Sequence, residues 1–142
     1  MGERDERPMS DLALLEKSDT LQKIRAYFEI LEDNMESFPF VSDLKTGIVM
    51  LSKGLVEKFG LPGVFLEDMD SVWVPLIYFE DQAKYEDDMK ELFVDRKKDK
   101  HHLEYRVRNA TGEFTWILCE GSIKLDEDGT PVIFAGVITP MD

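Results

Sequence analysis

The chain has 142 residues, 43% of them apolar and 33% charged, enough for one domain with a real core plus an appendage. Its formal net charge of −13 repels phosphate backbones and argues against nucleic acid as a partner. No apolar run approaches the ~18–20 residues of a bilayer span, and the charged N-terminus lacks the apolar core of a secretory signal, so a cytoplasmic protein without membrane insertion is expected.

Residues 1–18 read as a leader, partly disordered. The first nine are charged and aperiodic, and Ser10 then caps a short helix carrying Leu12, Leu14 and Leu15. Residues 19–36 form an N-terminal amphipathic helix. Asp19 stands three residues before Gln22, the layout of a capping box. Leu21, Ile24, Phe28, Leu31 and Met35 then recur at spacings of 3, 4, 3 and 4, a heptad seam. Lys17 interrupts the seam upstream. This stripe can dock on the protein's own sheet, pair with a second helix in a homodimer, or do both.

Residues 37–142 make the globular part. Phe38 to Asp43 and Ile48 to Leu51 are apolar runs joined by Leu44-Lys45-Thr46-Gly47, a strand-turn-strand signal. Ser52 caps a helix that runs from Lys53 to Phe59 and stops at Gly60, with Pro62 beyond. Met69 to Ile77 is a short helical piece broken by Pro75. Asp81 caps a longer helix reaching Val94, whose Tyr85, Met89, Leu92 and Phe93 share one face. The basic stretch from Arg96 to Lys100 reads as a solvated loop, and His101 and His102 as solvated residues ahead of the next strand. There Leu103, Tyr105 and Val107 alternate with Glu104, Arg106 and Arg108, as in an edge strand with one wet face. Phe114, Trp116 and Leu118 share one face of the following strand, with Ile117, Cys119, Ile123 and Leu125 on the other. Asp126-Glu127-Asp128-Gly129 is a turn. The last strand, Val132 to Thr139, is apolar on both faces.

A sheet whose final strands are apolar on both sides must be covered on both. The order predicts an α+β fold: a five-stranded antiparallel sheet, short helices on one face, and the N-terminal helix or a second subunit on the other.

The C-terminal run carries a resemblance. Glu104-Tyr105-Arg106, Gly112-Glu113-Phe114-Thr115-Trp116, Asp126-Glu127-Asp128-Gly129 and Phe134-Ala135-Gly136-Val137 stand in the order and spacing of a PAS domain. Ile48-Val49-Met50-Leu51-Ser52 through Phe59-Gly60 resembles the family's second strand and first helix, and Glu80-Asp81 the second half of its His-Pro-Glu-Asp motif. The resemblance covers roughly residues 36–140. The family's closing Asp-Ile-Thr is absent, and Pro140-Met141-Asp142 occupies those positions.

The resemblance implies a sensory or dimerisation module in signal transduction, not an enzyme, regulating an attached output domain C-terminal to Asp142 such as a diguanylate cyclase or histidine kinase. A fragment of a larger bacterial signalling protein fits this. The alternative is a small-molecule-binding enzyme or carrier on an α+β scaffold. PAS pockets hold haem, flavin, small acids or nothing. Haem-binding relatives place a His on the long helix, and here residues 81–94 contain none; Met89 reads as core. Flavin photochemistry in relatives needs a Cys in an Asn-Cys-Arg setting, whereas Cys119 is mid-strand. One cysteine and two adjacent histidines give no disulfide and no usual metal-ligand spacing. No cofactor, metal or catalytic residue is evident. A ligand, if bound, is expected to be small and apolar or aromatic, lined by Val49, Leu55, Phe59, Trp73, Ile77, Tyr85, Met89, Tyr105 and Trp116. These are equally the residues a packed core would use.

Overall fold

A computed structural model describes residues 10–141. The leader reading for the first nine residues lies outside them. Ser10 caps α1 (Asp11–Glu16), its hydroxyl accepting from the Ala13 N–H. In α2 (Asp19–Asp33) the cap is Ser18, one residue earlier than the sequence pattern suggested. The Ser18 hydroxyl accepts from the Leu21 N–H at 3.1 Å and donates to Asp43 Oδ2 at 2.6 Å. A hydroxyl can do both at once and a carboxylate cannot, which decides the cap in a fully buried position. Gln22 instead reaches back to the carbonyls of Leu15 and Glu16 and ties the two helices together.

Among the described residues the sheet has six strands, one more than expected, in the order β3-β2-β1-β6-β5-β4. β1 (Phe38–Asp43) and β2 (Ile48–Leu51) form a hairpin that turns at Gly47, whose φ is +77°. α3 (Lys53–Phe59) ends on the left-handed Gly60. The sixth strand is β3 (Phe65–Leu66), two residues pairing with Val49 and Met50. Two residues are too few to show a period, so the sequence could not reveal it. α4 (Met69–Trp73) passes into a 3₁₀ turn, Val74–Leu76, at Pro75, and α5 spans Gln82–Phe93.

β4 (Lys100–Arg108), β5 (Phe114–Leu125) and β6 (Pro131–Pro140) run antiparallel in sequence. β5 lies between β4 and β6, and β6 is central because it also pairs with β1. Gly121 of β5 faces Gly136 of β6. A Cβ on Gly136 would stand 1.9 Å from the Glu120 carbonyl oxygen and 2.5 Å from the Gly121 Cα.

The two faces of the sheet carry separate cores. On the inner face Phe40, Leu51, Val107, Ile117 and Ile138 pack against α3, α4 and α5. On the outer face Ile48, Met50 and Phe65 pack against Leu14, Leu15, Leu21 and Phe28 of α1 and α2. The register puts Leu118, Ile133, Ala135 and Val137 on that outer face as well, and there they are only half-buried.

Candidate functional site

The inner face, α4 and α5 line a partly open cavity of about 340 Å³. Strand alternation aims its wall residues: Val49 and Leu51 from β2, Phe40 and Ser42 from β1, Phe134 and Ile138 from β6, Cys119 from β5, and His101 and Tyr105 from β4. Helical spacing brings Tyr85, Met89 and Phe93 of α5 to the same space, and Trp73 closes it from α4. Glu67, Asp68 and Asp70 stand on the same lining.

Of the nine candidate liners, Val49, Trp73, Tyr85, Met89 and Tyr105 face this cavity together. Leu55, Phe59 and Ile77 are buried in the adjoining core and do not line it. Trp116 is misplaced in the sequence reading. It is 42% exposed on the outer face, because its neighbours Ile117 and Cys119 point inward.

Trp116 belongs to a different arrangement. The Arg106 guanidinium lies 4.0 Å from the Tyr78 ring centroid and 4.7 Å from that of Trp116. Asp81 accepts from Arg106 three times, from the backbone N–H at 2.9 Å, from Nε at 2.8 Å and from the guanidinium Nη2 at 2.9 Å. The Arg106 hydrogen bonds hold the Asp81 carboxyl below its usual range against the opposing effect of burial. Asp81 is at the cap position of α5 but makes no side-chain cap bond, since its carboxylate is spent on β4. Arg106, on the face that the alternation marks as wet, is half-buried and held by Asp81 through its backbone N–H, Nε and Nη2.

The polar groups of the cavity are mostly satisfied internally. The Trp73 indole donates to the Tyr105 hydroxyl at 2.9 Å, and the Tyr85 hydroxyl donates to Asp70 at 3.1 Å. Burial pushes both tyrosine hydroxyls well above their ordinary range. It also pushes the Cys119 thiol up to about 12, so the sulfur is a protonated wall atom and not a nucleophile.

The histidine reading needs correction. His101 lies inside β4, 1% exposed, two residues before Leu103 on the inward parity. Its Nδ1 is hydrogen-bonded to Asp88 Oδ2, and the other oxygen of Asp88 is ion-paired with Lys98. Lys98, placed by sequence in a solvated loop, thereby anchors the chain between α5 and β4. Burial holds the His101 ring below its ordinary value, opposed by Asp88 and assisted by Lys98. His101 Nε2 is buried without a hydrogen-bond partner among the described residues. Sequence reasoning missed Asp88 as well, although it stands three residues after Tyr85 and so shares its face.

The seam splits. Leu21 and Phe28 are buried and Ile24 half-buried against the chain's own sheet, while Leu31 is 54% exposed and Met35 is at the surface. Tyr27 and Ile30, outside the seam, are exposed beside them.

The arrangement matches known proteins. The family of the PAS fold matches residues 49–138, more than half of the chain. A sensory box histidine kinase/response regulator from Burkholderia thailandensis superposes with a TM-score of 0.61 at 22% identity, covering 80% of this chain and 83% of its own. A domain of a putative light and redox sensing histidine kinase from Haloarcula marismortui gives 0.60 at 20% identity, covering 85% and 99%. The N-terminal domain of a diguanylate cyclase with a PAS/PAC sensor from Marinobacter aquaeolei gives 0.57 at 15% identity, covering 73% and 94%. These likenesses show the fold. No curated protein matches the chain. No helix among the described residues is long and apolar enough to cross a membrane.

Proposed function

The chain belongs to the PAS fold family, and from that premise we propose that it is a cytoplasmic, non-catalytic sensory and dimerisation module that regulates an attached output domain. The observation that carries the sensory half is the cavity of about 340 Å³ behind the sheet, within the range of small-molecule sites and lined largely by apolar and aromatic side chains. A small apolar or aromatic ligand suits it. The similar domains from a histidine kinase and a diguanylate cyclase support an output of one of those kinds.

The assembly half rests on the outer face. Leu118, Ile133, Ala135 and Val137 are half-buried there, and Tyr27, Ile30 and Leu31 on the flank of α2, with Met35 just beyond its end, face solvent. A second copy covering both would form a symmetric homodimer, with the buried part of the seam on its own sheet and the exposed part across the interface. The test is size-exclusion chromatography with light scattering on the wild type and on a Tyr27→Asp, Leu31→Asp double variant. A dimer that becomes a folded monomer supports the reading. A monomeric wild type at roughly 100 μM, where even a 1 μM dimer would persist, sinks it.

A further inference from the structure

We propose, resting on the ligand-pocket reading above, that the cavity takes a small organic cation, an ammonium carried on an apolar or aromatic body, with the ammonium at Asp70 in the cavity mouth. The place of the mouth follows from exposure. Gly47, Glu67, Asp68 and Asp70 are the exposed residues of the lining, so the cavity opens between the β1–β2 turn and the segment from β3 into α4. Behind the mouth the walls are apolar. Met69, Met89, Phe93 and Phe134 line the cavity and keep part of their surface accessible, so a ligand can touch them. The Phe134 ring stands 5.4 Å from that of Phe40 and 5.3 Å from that of Phe93, centroid to centroid, an aromatic corner for the body of a ligand.

The charge of the lining has one sign. No Lys or Arg lines the cavity, and the His101 side chain offers it no accessible surface. The ionisable groups at the mouth are carboxylates, and their surroundings differ. Glu67 is ion-paired with Lys17 at 3.3 Å, and Asp68 accepts from the Ser71 N–H as the cap of α4. Asp70 is tied to the cavity wall instead. Its Oδ1 accepts from the Tyr85 hydroxyl at 3.1 Å, and Tyr85 lines the cavity from α5 beside Met89. Its charge is met there by a hydroxyl and by no cation among the described residues.

This juxtaposition fixes the class of ligand. An ionised carboxylate only accepts, and one phenol hydroxyl leaves most of its lone-pair sites for another donor. An ammonium supplies both the donors and the missing charge. Seated in the open mouth it keeps part of its water, so its desolvation costs little, while its apolar body leaves water for the rings and methionines behind. Aromatic walls also attract a positive head. An anion on the same body would meet three carboxylates with nothing to neutralise it. The net charge of −13 adds a field that gathers cations from farther away.

The test is isothermal titration of the full chain at neutral pH with three probes that share a phenylethyl body: 2-phenylethylammonium, 2-phenylethanol and 3-phenylpropanoate. At low salt the ammonium is expected to bind about tenfold more tightly than the alcohol, the lower end for a charge-assisted hydrogen bond because the mouth is wet. The propanoate is expected not to bind. Asp70→Asn keeps an oxygen for Tyr85 and removes the charge, so it should bring the ammonium to within about twofold of the alcohol. Should that variant fail to fold, the wild type decides: the ammonium should lose affinity as salt is raised while the alcohol holds, and it should move the methyl resonances of Met69 and Met89. Equal affinity for ammonium and alcohol, an unchanged preference in Asp70→Asn, or an ammonium that leaves both methyl resonances in place overturns cation selection at Asp70 and leaves the pocket reading intact. Binding of none of the three probes overturns both.

Discussion

Truncating Leu21 and Leu31 separately tests whether α2 is part of the domain or only an appendage to it. Both are leucines of one helix and one heptad stripe, so Leu→Ala changes helix propensity almost equally and slightly at each. Their surroundings differ. Leu21 is 0% exposed, locked between Leu14, Leu15 and the outer-face cluster of Ile48, Met50 and Phe65, while Leu31 faces solvent. Removing a side chain from a closed site costs its transfer free energy plus the cavity left behind, about 3 kcal/mol. Removing one from the surface costs within about 0.5 kcal/mol. For a chain of this length each kcal/mol lowers Tm by roughly 3–4 °C, so Leu21→Ala should melt about 10 °C below wild type and Leu31→Ala within about 2 °C. Urea unfolding followed by far-UV circular dichroism gives the same comparison as free energies. The series is run over a hundredfold range of dilution, because Leu31 contributes to apparent stability wherever a dimer forms. Equal losses for the two variants at the dilute end would falsify the docking of α2 on its own sheet.

Three further outcomes are expected from the same packing. Gly136→Ala places a methyl against the backbone of β5, 1.9 Å from the Glu120 oxygen, and parting two central strands should cost about 3 kcal/mol in chemical denaturation; an unchanged midpoint would mean that β5 and β6 do not approach as described. Asp81→Ala strips Arg106 of three hydrogen bonds at the junction of α5 and β4, a loss of about 2 kcal/mol since the guanidinium keeps some solvent. Because the folded state holds the Asp81 carboxyl below its ordinary 3.8, that stabilisation is present above this value and is lost as pH falls through the folded value. His101 acts in the same direction in a separate, higher window. Its folded value is depressed below 6.5, so acidification from pH 7 protonates the unfolded chain first and stability falls between 6.5 and the folded value. Midpoints of urea unfolding measured from pH 7.5 to 5 should decline in the wild type and flatten in His101→Gln; parallel declines would remove His101 as the cause.

The elements that the sequence disclosed are those whose signal is local and repeated. The hairpin turn at Gly47, the helix ending on Gly60 and the alternation of Leu103, Tyr105 and Val107 each express a backbone constraint within a few residues. The need to cover β6 on both faces was legible too, since Val132 to Thr139 has no wet face. β3 escaped because two residues have no period, and the Ser18 cap because its advantage depends on Asp43, twenty-five residues away.

The candidate site divides along the same line, and strand parity explains both errors in it. Tyr105 and Val107 point inward on β4, so counting back by twos from Tyr105 reaches Leu103 and then His101. The strand had only to be extended by two residues for the histidine to turn inward. Adjacent histidines beside a run of lysines have the composition of a loop, and here the period of two outweighs the composition. On β5 the same rule cut the other way. Ile117 and Cys119 were assigned to one face and Trp116 to the other, and with Cys119 in the core Trp116 had to be outside. Counting Trp116 among the pocket residues followed its size and aromaticity against its own parity. What no local rule could supply is Asp88. A carboxylate on the inward face of an amphipathic helix reads as a flaw in the pattern until its partners, Lys98 ten residues and His101 thirteen residues downstream, are brought onto it by the turn between α5 and β4. Paired on both oxygens, it ties the start of β4 back onto α5 and holds the His101 ring in its buried place.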